Sequence, residues 1–218
     1  MIRSILSLLF LTFFICLTSC LSDKTAEKTA VAENTVTPQK ASQNIKTREN
    51  TLVGFKENKA VMGNGQMVEV PGLVDEKQSV FILVRHAEKE LTGDDPGLTA
   101  EGQQRASRLD DILKNITVHQ VMSTDYERTK STVASLAKAK RTAVQIYDPS
   151  MQNDLFIDLA VFNKHNIVVA GHSNTIPGLA NFLIGKPVFE DFSEDEYDHI
   201  IIISAEQPGK ATYLSLNY

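Results

Sequence analysis

The chain has 218 residues, 42% of them hydrophobic, and carries 22 Lys and Arg against 27 Asp and Glu, a net charge of −5. That mild acidity offers no basic face to a phosphate backbone, so nucleic acid is excluded as the expected partner. Only two cysteines are present, Cys16 and Cys20, too few for a disulfide framework, so an apolar core must hold the fold.

Arg3 is the only charged residue before Asp23, and an apolar run from Ile5 to Leu17 leads into Leu17-Thr18-Ser19-Cys20. A basic start, an apolar centre and small residues at the end predict a secretory signal peptide over residues 1–19. The run is shorter than the about 20 apolar residues that a membrane span needs. Leu-Thr-Ser-Cys resembles the bacterial lipobox, whose cysteine is acylated and becomes the new N-terminus. That resemblance implies lipidation at Cys20, each buried methylene anchoring the chain in a lipid membrane by roughly 0.8 kcal/mol. The protein is then exported and held in the bacterial cell envelope. An uncleaved anchor helix and plain secretion with a free cysteine are the alternatives. Loss of Arg3 with the signal takes the net charge from −5 to −6.

Residues 20–50 are mostly Thr, Ala, Lys, Glu, Asn and Gln, with almost no large apolar side chain. Such a stretch cannot bury enough surface to order its backbone, and a flexible tether is expected. Residues 51–79 are ambiguous, although Asn64-Gly65 between apolar flanks points to a hairpin. The remaining stretch, residues 80–218, suits one domain.

Val80-Phe81-Ile82-Leu83-Val84 is a continuous apolar run, as in a strand covered on both faces, and Asn166–Ala170 reads the same way. Val118–Met122 and Ala143–Tyr147 are weaker strands. Helical patterns fall at Thr99–Lys114, Tyr126–Lys140, Asp154–Lys164 and Ile176–Ile184. Alternating strands and helices predict an α/β three-layer sandwich around a mostly parallel sheet. His199–Ser204 and Thr212–Leu216, joined through Pro208-Gly209, predict a hairpin at the sheet's end.

Arg85-His86 closes the first strong strand and Gly171-His172 the other, at the carboxyl ends where open parallel sheets bind ligands. With Arg128, these make four basic residues at or just after strand ends. Burying such charge without a partner costs several kcal/mol, so an anion is expected there. A phosphoryl group answers: guanidinium forks match its oxygens, and neutral imidazole is a competent nucleophile.

Four stretches carry a family resemblance. Leu83-Val84-Arg85-His86-Ala87-Glu88-Lys89 resembles the Arg-His-Gly/Ala signature of the histidine phosphatase superfamily, in its phosphoglycerate mutase-like branch. Asp95-Pro96-Gly97-Leu98-Thr99-Ala100-Glu101-Gly102 is similar to its Leu-Thr-x-x-Gly helix start. Ser123–Arg128 resembles the segment that supplies its second arginine, and Val169–Ser173 the block with its second histidine. The resemblance implies that His86 is the phosphorylated nucleophile, that Arg85, Arg128 and a protonated His172 cradle the phosphoryl oxygens, and that water then frees phosphate. It implies no metal and no cofactor; no His/Cys/Asp cluster has ligand spacing. The expected partner is a small phosphorylated substrate or a phosphohistidine.

The chain departs from the larger family members in one respect. Only Ala143–Asn166 separates the second arginine's region from the next strand, too little for the insert that supplies their proton donor. The layout is similar to the small phosphohistidine phosphatases, and a mutase fits poorly. Candidate acids are Glu88, Asp148 and the loop Glu194-Asp195-Glu196 with Asp198; by composition, Asp191–Asp198 reads more simply as a solvated loop. The competing reading is a catalytically silent lipoprotein that binds phosphate or phosphorylated ligands in the same pocket.

Overall fold

The strand Ser79–Arg85 (β4) sits at the centre of the fold, every one of its residues buried. The computed structural model describes residues 51–73, 75 and 77–218. The predicted signal peptide, Cys20 and the tether lie outside the described residues. Along β4, Val80, Ile82 and Val84 join one apolar cluster, and Phe81 and Leu83 join another. A strand's side chains alternate between faces, so this parity means that both faces of the sheet are covered. Burying each such side chain contributes about 1.5–3 kcal/mol, which a surface strand would forgo.

The sheet has six strands in the order β6-β5-β7-β4-β8-β9. Val144–Ile146 (β6), Gln120–Ser123 (β5), Asn166–Gly171 (β7) and β4 run parallel, whereas His199–Gln207 (β8) and Lys210–Asn217 (β9) form the predicted antiparallel hairpin. Helices α1 (Ala100–Leu113) and α2 (Glu127–Ala139) bury Leu109, Ile112, Leu113, Val133 and Leu136 on one face. Their spacing of three and four residues is what makes each helix one-sided. On the other face lie α3 (Gln152–Asp158), extended by a π-helical turn at Leu159–Asn163, and α4 (Thr175–Ile184). This is the expected three-layer α/β sandwich.

Residues 51–79, ambiguous in the sequence, contain a separate antiparallel sheet of Leu52–Lys56 (β1), Lys59–Met62 (β2) and Met67–Glu69 (β3). Leu52, Phe55 and Ala60 join the cluster under α1. Asn64-Gly65 forms the β2–β3 turn, with Gly65 at φ 84. The β1–β2 turn had no such signal: Glu57 and Asn58 both take positive φ, 52 and 60, the twist a two-residue hairpin requires. Among the described residues no helix is long and apolar enough to cross a membrane.

Candidate active site

Strand register brings the two histidines together. In the parallel β4–β7 pair Arg85 lies opposite Gly171, so the next residue of each strand, His86 and His172, leaves the sheet beside the other. The His86 N–H donates to the Gly171 carbonyl at 2.9 Å. The two imidazoles lie 5.5 Å apart between centroids, at 65°. Ser123 of β5 pairs with Ala170, so Thr124 emerges at the same level, and its hydroxyl lies 2.9 Å from His172 Nε2.

His86 is 3% exposed, and its Nδ1 lies 2.8 Å from the Ala87 carbonyl oxygen. A carbonyl only accepts, so Nδ1 carries the hydrogen and the lone pair of neutral His86 is on Nε2. Burial, with the charges of Arg85 and Arg128 and the neighbouring His172, lowers the His86 pKa to about 4 against the upward pull of the Ala87 carbonyl. Burial and the same two arginines lower His172 to about 4 as well. The sequence led us to expect a protonated His172; surrounded by two fixed cations, its imidazole is instead neutral near pH 7.

Arg85 is 2% exposed. Its Nη1 donates to the carbonyls of Ser193 (2.6 Å) and Glu196 (3.1 Å), and its Nη2 lies 3.4 Å from Glu194 Oε2. Arg128, in the first turn of α2, has Nη1 3.7 Å from Asp95 Oδ1. The same Asp95 carboxylate accepts the Glu127 N–H through both oxygens at 3.0 Å, which caps α2 from a distant loop. Each guanidinium rests on a tyrosine ring, Arg85 on Tyr197 at 4.3 Å and Arg128 on Tyr126 at 4.4 Å. The Nε of each arginine is buried with no hydrogen-bond acceptor among the described residues. A buried unmet donor costs about 1–3 kcal/mol, and an arriving oxyanion would remove that cost.

The backbone beneath His86 is braced from two helices. Thr132 Oγ1 of α2 accepts the Ala87 N–H at 2.9 Å and donates to the Arg128 carbonyl at 2.7 Å. From α1, Thr99 Oγ1 accepts the Gly102 N–H at 3.1 Å, as expected of an N-cap. A Cβ on Gly102 would lie 2.2 Å from the Glu88 carbonyl oxygen. Only glycine lets the helix start touch the strand-end loop, the physical content of the Leu-Thr-x-x-Gly stretch.

The structure thus gathers Arg85, His86, Arg128 and His172. It directs the two leading acid candidates elsewhere. Glu88 is clamped by Arg105, with Nε at 2.9 and 3.0 Å and Nη2 at 2.6 Å. Burial would raise its carboxyl, but Arg105's hydrogen bonds and charge hold it below the usual range. Asp148 is exposed and accepts from the N–H and hydroxyl of Ser150 at 2.8 and 2.7 Å. The acidic loop is not simply solvated: Ser193, Glu194 and Glu196 all bind Arg85. Sequence reasoning missed Tyr197 and Thr132, whereas Asp95, Thr124 and Tyr126 lay inside recognised stretches without a role.

Among the described residues no group of three or more His, Cys, Asp or Glu side chains is arranged to hold a metal ion. Residues 81–152 match the family model described as histidine phosphatase superfamily, branch 1. No curated protein matches the chain. Among solved structures, the protein histidine phosphatase SixA complexed with tungstate aligns with a TM-score of 0.54 at 14% identity, over 63% of this chain and 96% of that one. A mycobacterial glucosyl-3-phosphoglycerate phosphatase aligns at 0.53 and 11% identity, over 64% and 99%. Phosphoserine phosphatase from Entamoeba histolytica, with 3-phosphoglyceric acid, aligns at 0.51 and 18%, over 64% and 97%. These likenesses establish the fold, which is consistent with that of the phosphoglycerate mutase-like proteins.

Proposed function

We propose that this chain is a histidine phosphatase that hydrolyses a phosphomonoester or a phosphohistidine without a metal ion, through a phosphoryl group carried on His86. The observation that carries the reading is the Nδ1–H of His86 held by the Ala87 carbonyl at 2.8 Å, which leaves the lone pair of neutral His86 on Nε2. That lone pair forms a bond to phosphorus while the bond to the leaving group breaks, and the leaving atom takes the electron pair and a proton from water. Arg85, Arg128 and His172 neutralise the charge on the three equatorial oxygens. Water then attacks phosphorus, the P–N bond breaks, and its electron pair returns to Nε2 as phosphate leaves. The Thr124 hydroxyl can accept from His172 Nε2 as well as donate to it, so it serves His172 when the arriving dianion draws a proton onto the ring.

With Glu88 on Arg105 and Asp148 on Ser150, the two leading acid candidates do not supply protonation of the leaving group. That favours leaving groups stable without it, phosphohistidine among them. The tungstate complex of SixA is a tetrahedral oxyanion bound by a protein of this fold, and supports the reading.

The test is turnover of p-nitrophenyl phosphate with EDTA present, by the native chain and His86→Ala, with acid quenching to trap an acid-labile phosphoprotein. Native turnover, trapped label and a silent alanine variant are expected. Full activity in His86→Ala would sink the nucleophile assignment. Phosphate binding without turnover would favour the silent binding lipoprotein.

We further propose that the domain is displayed in the bacterial cell envelope on a lipid at Cys20, through the tether of residues 20–50. The support is Leu17-Thr18-Ser19-Cys20 behind its apolar run. Palmitate labelling of the native chain, lost in Cys20→Ala, tests this; equal labelling of both would refute it.

A further inference from the structure

Two tyrosines bracket the histidine pair. The rings of Tyr197, His86, His172 and Tyr126 form a row with centroid spacings of 5.9, 5.5 and 5.1 Å. The ends of the row differ. Tyr197 is half-buried within the acidic loop, whereas Tyr126 is 43% exposed. One side of the Tyr126 ring meets the Arg128 guanidinium at 4.4 Å and the ring stands at 88° to His172. Between these two neighbours the residue keeps 43% of its surface open to solvent beside the phosphoryl cradle.

The position is unusual for a tyrosine. Tyr126 is the N-cap residue of α2 yet makes no side-chain cap hydrogen bond, where Ser, Thr, Asp or Asn would ordinarily sit. Asp95 reaches over to cap the helix through the Glu127 N–H instead. A helix start that gives up its own cap for an exposed ring, while importing the cap from another loop, breaks a local rule at a place where function can explain it.

We propose that Tyr126 is a specificity-determining residue whose exposed ring stacks on a planar aromatic leaving group, so that the site takes phosphoryl groups carried on aromatic rings ahead of those on aliphatic alcohols. This rests on the phosphatase reading above. The bond changes are those already given: the P–O bond to the ring breaks, and the oxygen leaves with the electron pair and takes a proton from water. An aromatic leaving group suits a site whose two leading acid candidates, Glu88 and Asp148, are engaged elsewhere, because a phenolate leaves more readily than an alkoxide.

The experiment compares kcat/KM for phenyl phosphate and β-glycerol phosphate in the native chain, Tyr126→Phe and Tyr126→Leu. Any loosening of Arg128 affects both substrates and cancels in their ratio. Offset aromatic stacking predicts that the phenyl-to-glycerol ratio falls about 10-fold in Tyr126→Leu, through KM for phenyl phosphate, and stays within about 2-fold of native in Tyr126→Phe. Inhibition by inorganic phosphate, which has no ring, reports whether each variant keeps its cradle and its fold. An unchanged ratio in Tyr126→Leu overturns the proposal, even if both rates fall. A native chain that hydrolyses neither substrate overturns this proposal, and the phosphomonoester half of the reading it rests on, whereas hydrolysis of both with an unchanged ratio overturns this proposal alone.

Discussion

The imidazoles of His86 and His172 meet edge to face at 5.5 Å because Arg85 and Gly171 are register partners in adjacent parallel strands. Both rings are lowered to about 4, by burial first and by Arg85 and Arg128 after it. A lowered histidine pKa means that the unfolded chain takes up protons before the native one does as pH falls. Stability is therefore greatest above the ordinary histidine pKa of about 6.5 and declines as pH falls from there towards about 4. Denaturant unfolding at several pH values across this window should show the loss, by as much as a few kcal/mol. The kcat/KM profile, corrected for the substrate's own ionisation, should show an acid limb near pH 4, where His86 gains the proton that blocks its lone pair.

The cradle should depend on both arginines. Arg128→Ala is expected to lower kcat by about 10²–10³-fold, the usual consequence of losing one donor to transition-state charge. Arg128→Lys should rescue little, because an ammonium can neither lie on Tyr126 as a planar fork nor donate through two nitrogens. Steady-state kinetics and a phosphate inhibition constant for each variant check this.

Thr132→Val keeps shape but leaves the Ala87 N–H without the acceptor it has at 2.9 Å. Thermal or denaturant unfolding should show a loss of about 1–3 kcal/mol. Because Ala87 also holds the Nδ1 of His86, kcat should fall further than it does for a core variant of equal stability loss.

Gly102→Ala would place a methyl group 2.2 Å from the Glu88 carbonyl oxygen. The helix start must move away, and with it the loop bearing His86. Destabilisation of about 2 kcal/mol or more is expected, as for other overpacked sites. A variant as stable as the native chain would show that α1 does not brace the site.

Glu88 pairs with Arg105 where both side chains are 14% exposed. Glu88→Gln should reduce stability by about 1–3 kcal/mol, between the values for exposed and buried pairs. It should leave the alkaline side of the kcat profile unmoved. Loss of that alkaline limb with stability intact would restore Glu88 as the proton donor.

The α/β sandwich was legible because its signals are local. Val80–Val84 and Asn166–Ala170 are too apolar to be anything but strands covered on both faces, and α1, α2 and α4 carry helical spacing in their own residues. The β5 strand was misplaced by two residues, since Val118 and His119 precede it, and the π-helical turn at Leu159–Asn163 left no mark in the periodicity. Arg85, His86, Arg128 and His172 could be named from strand ends and the family-like stretches, as residue types whose chemistry suits a phosphoryl group.

What those residues meet was decided elsewhere. Tyr197 comes to Arg85 and His86, Asp95 to Arg128, and Glu88 to Arg105, only after strands and loops far apart in the chain have been placed. Protonation took the same course: a histidine's charge at pH 7 depends on burial and on neighbouring cations, which no short stretch of residues contains. Amino-acid order determined which groups reach the end of the sheet; packing decided their ionisation, their partners and the ring left open to solvent.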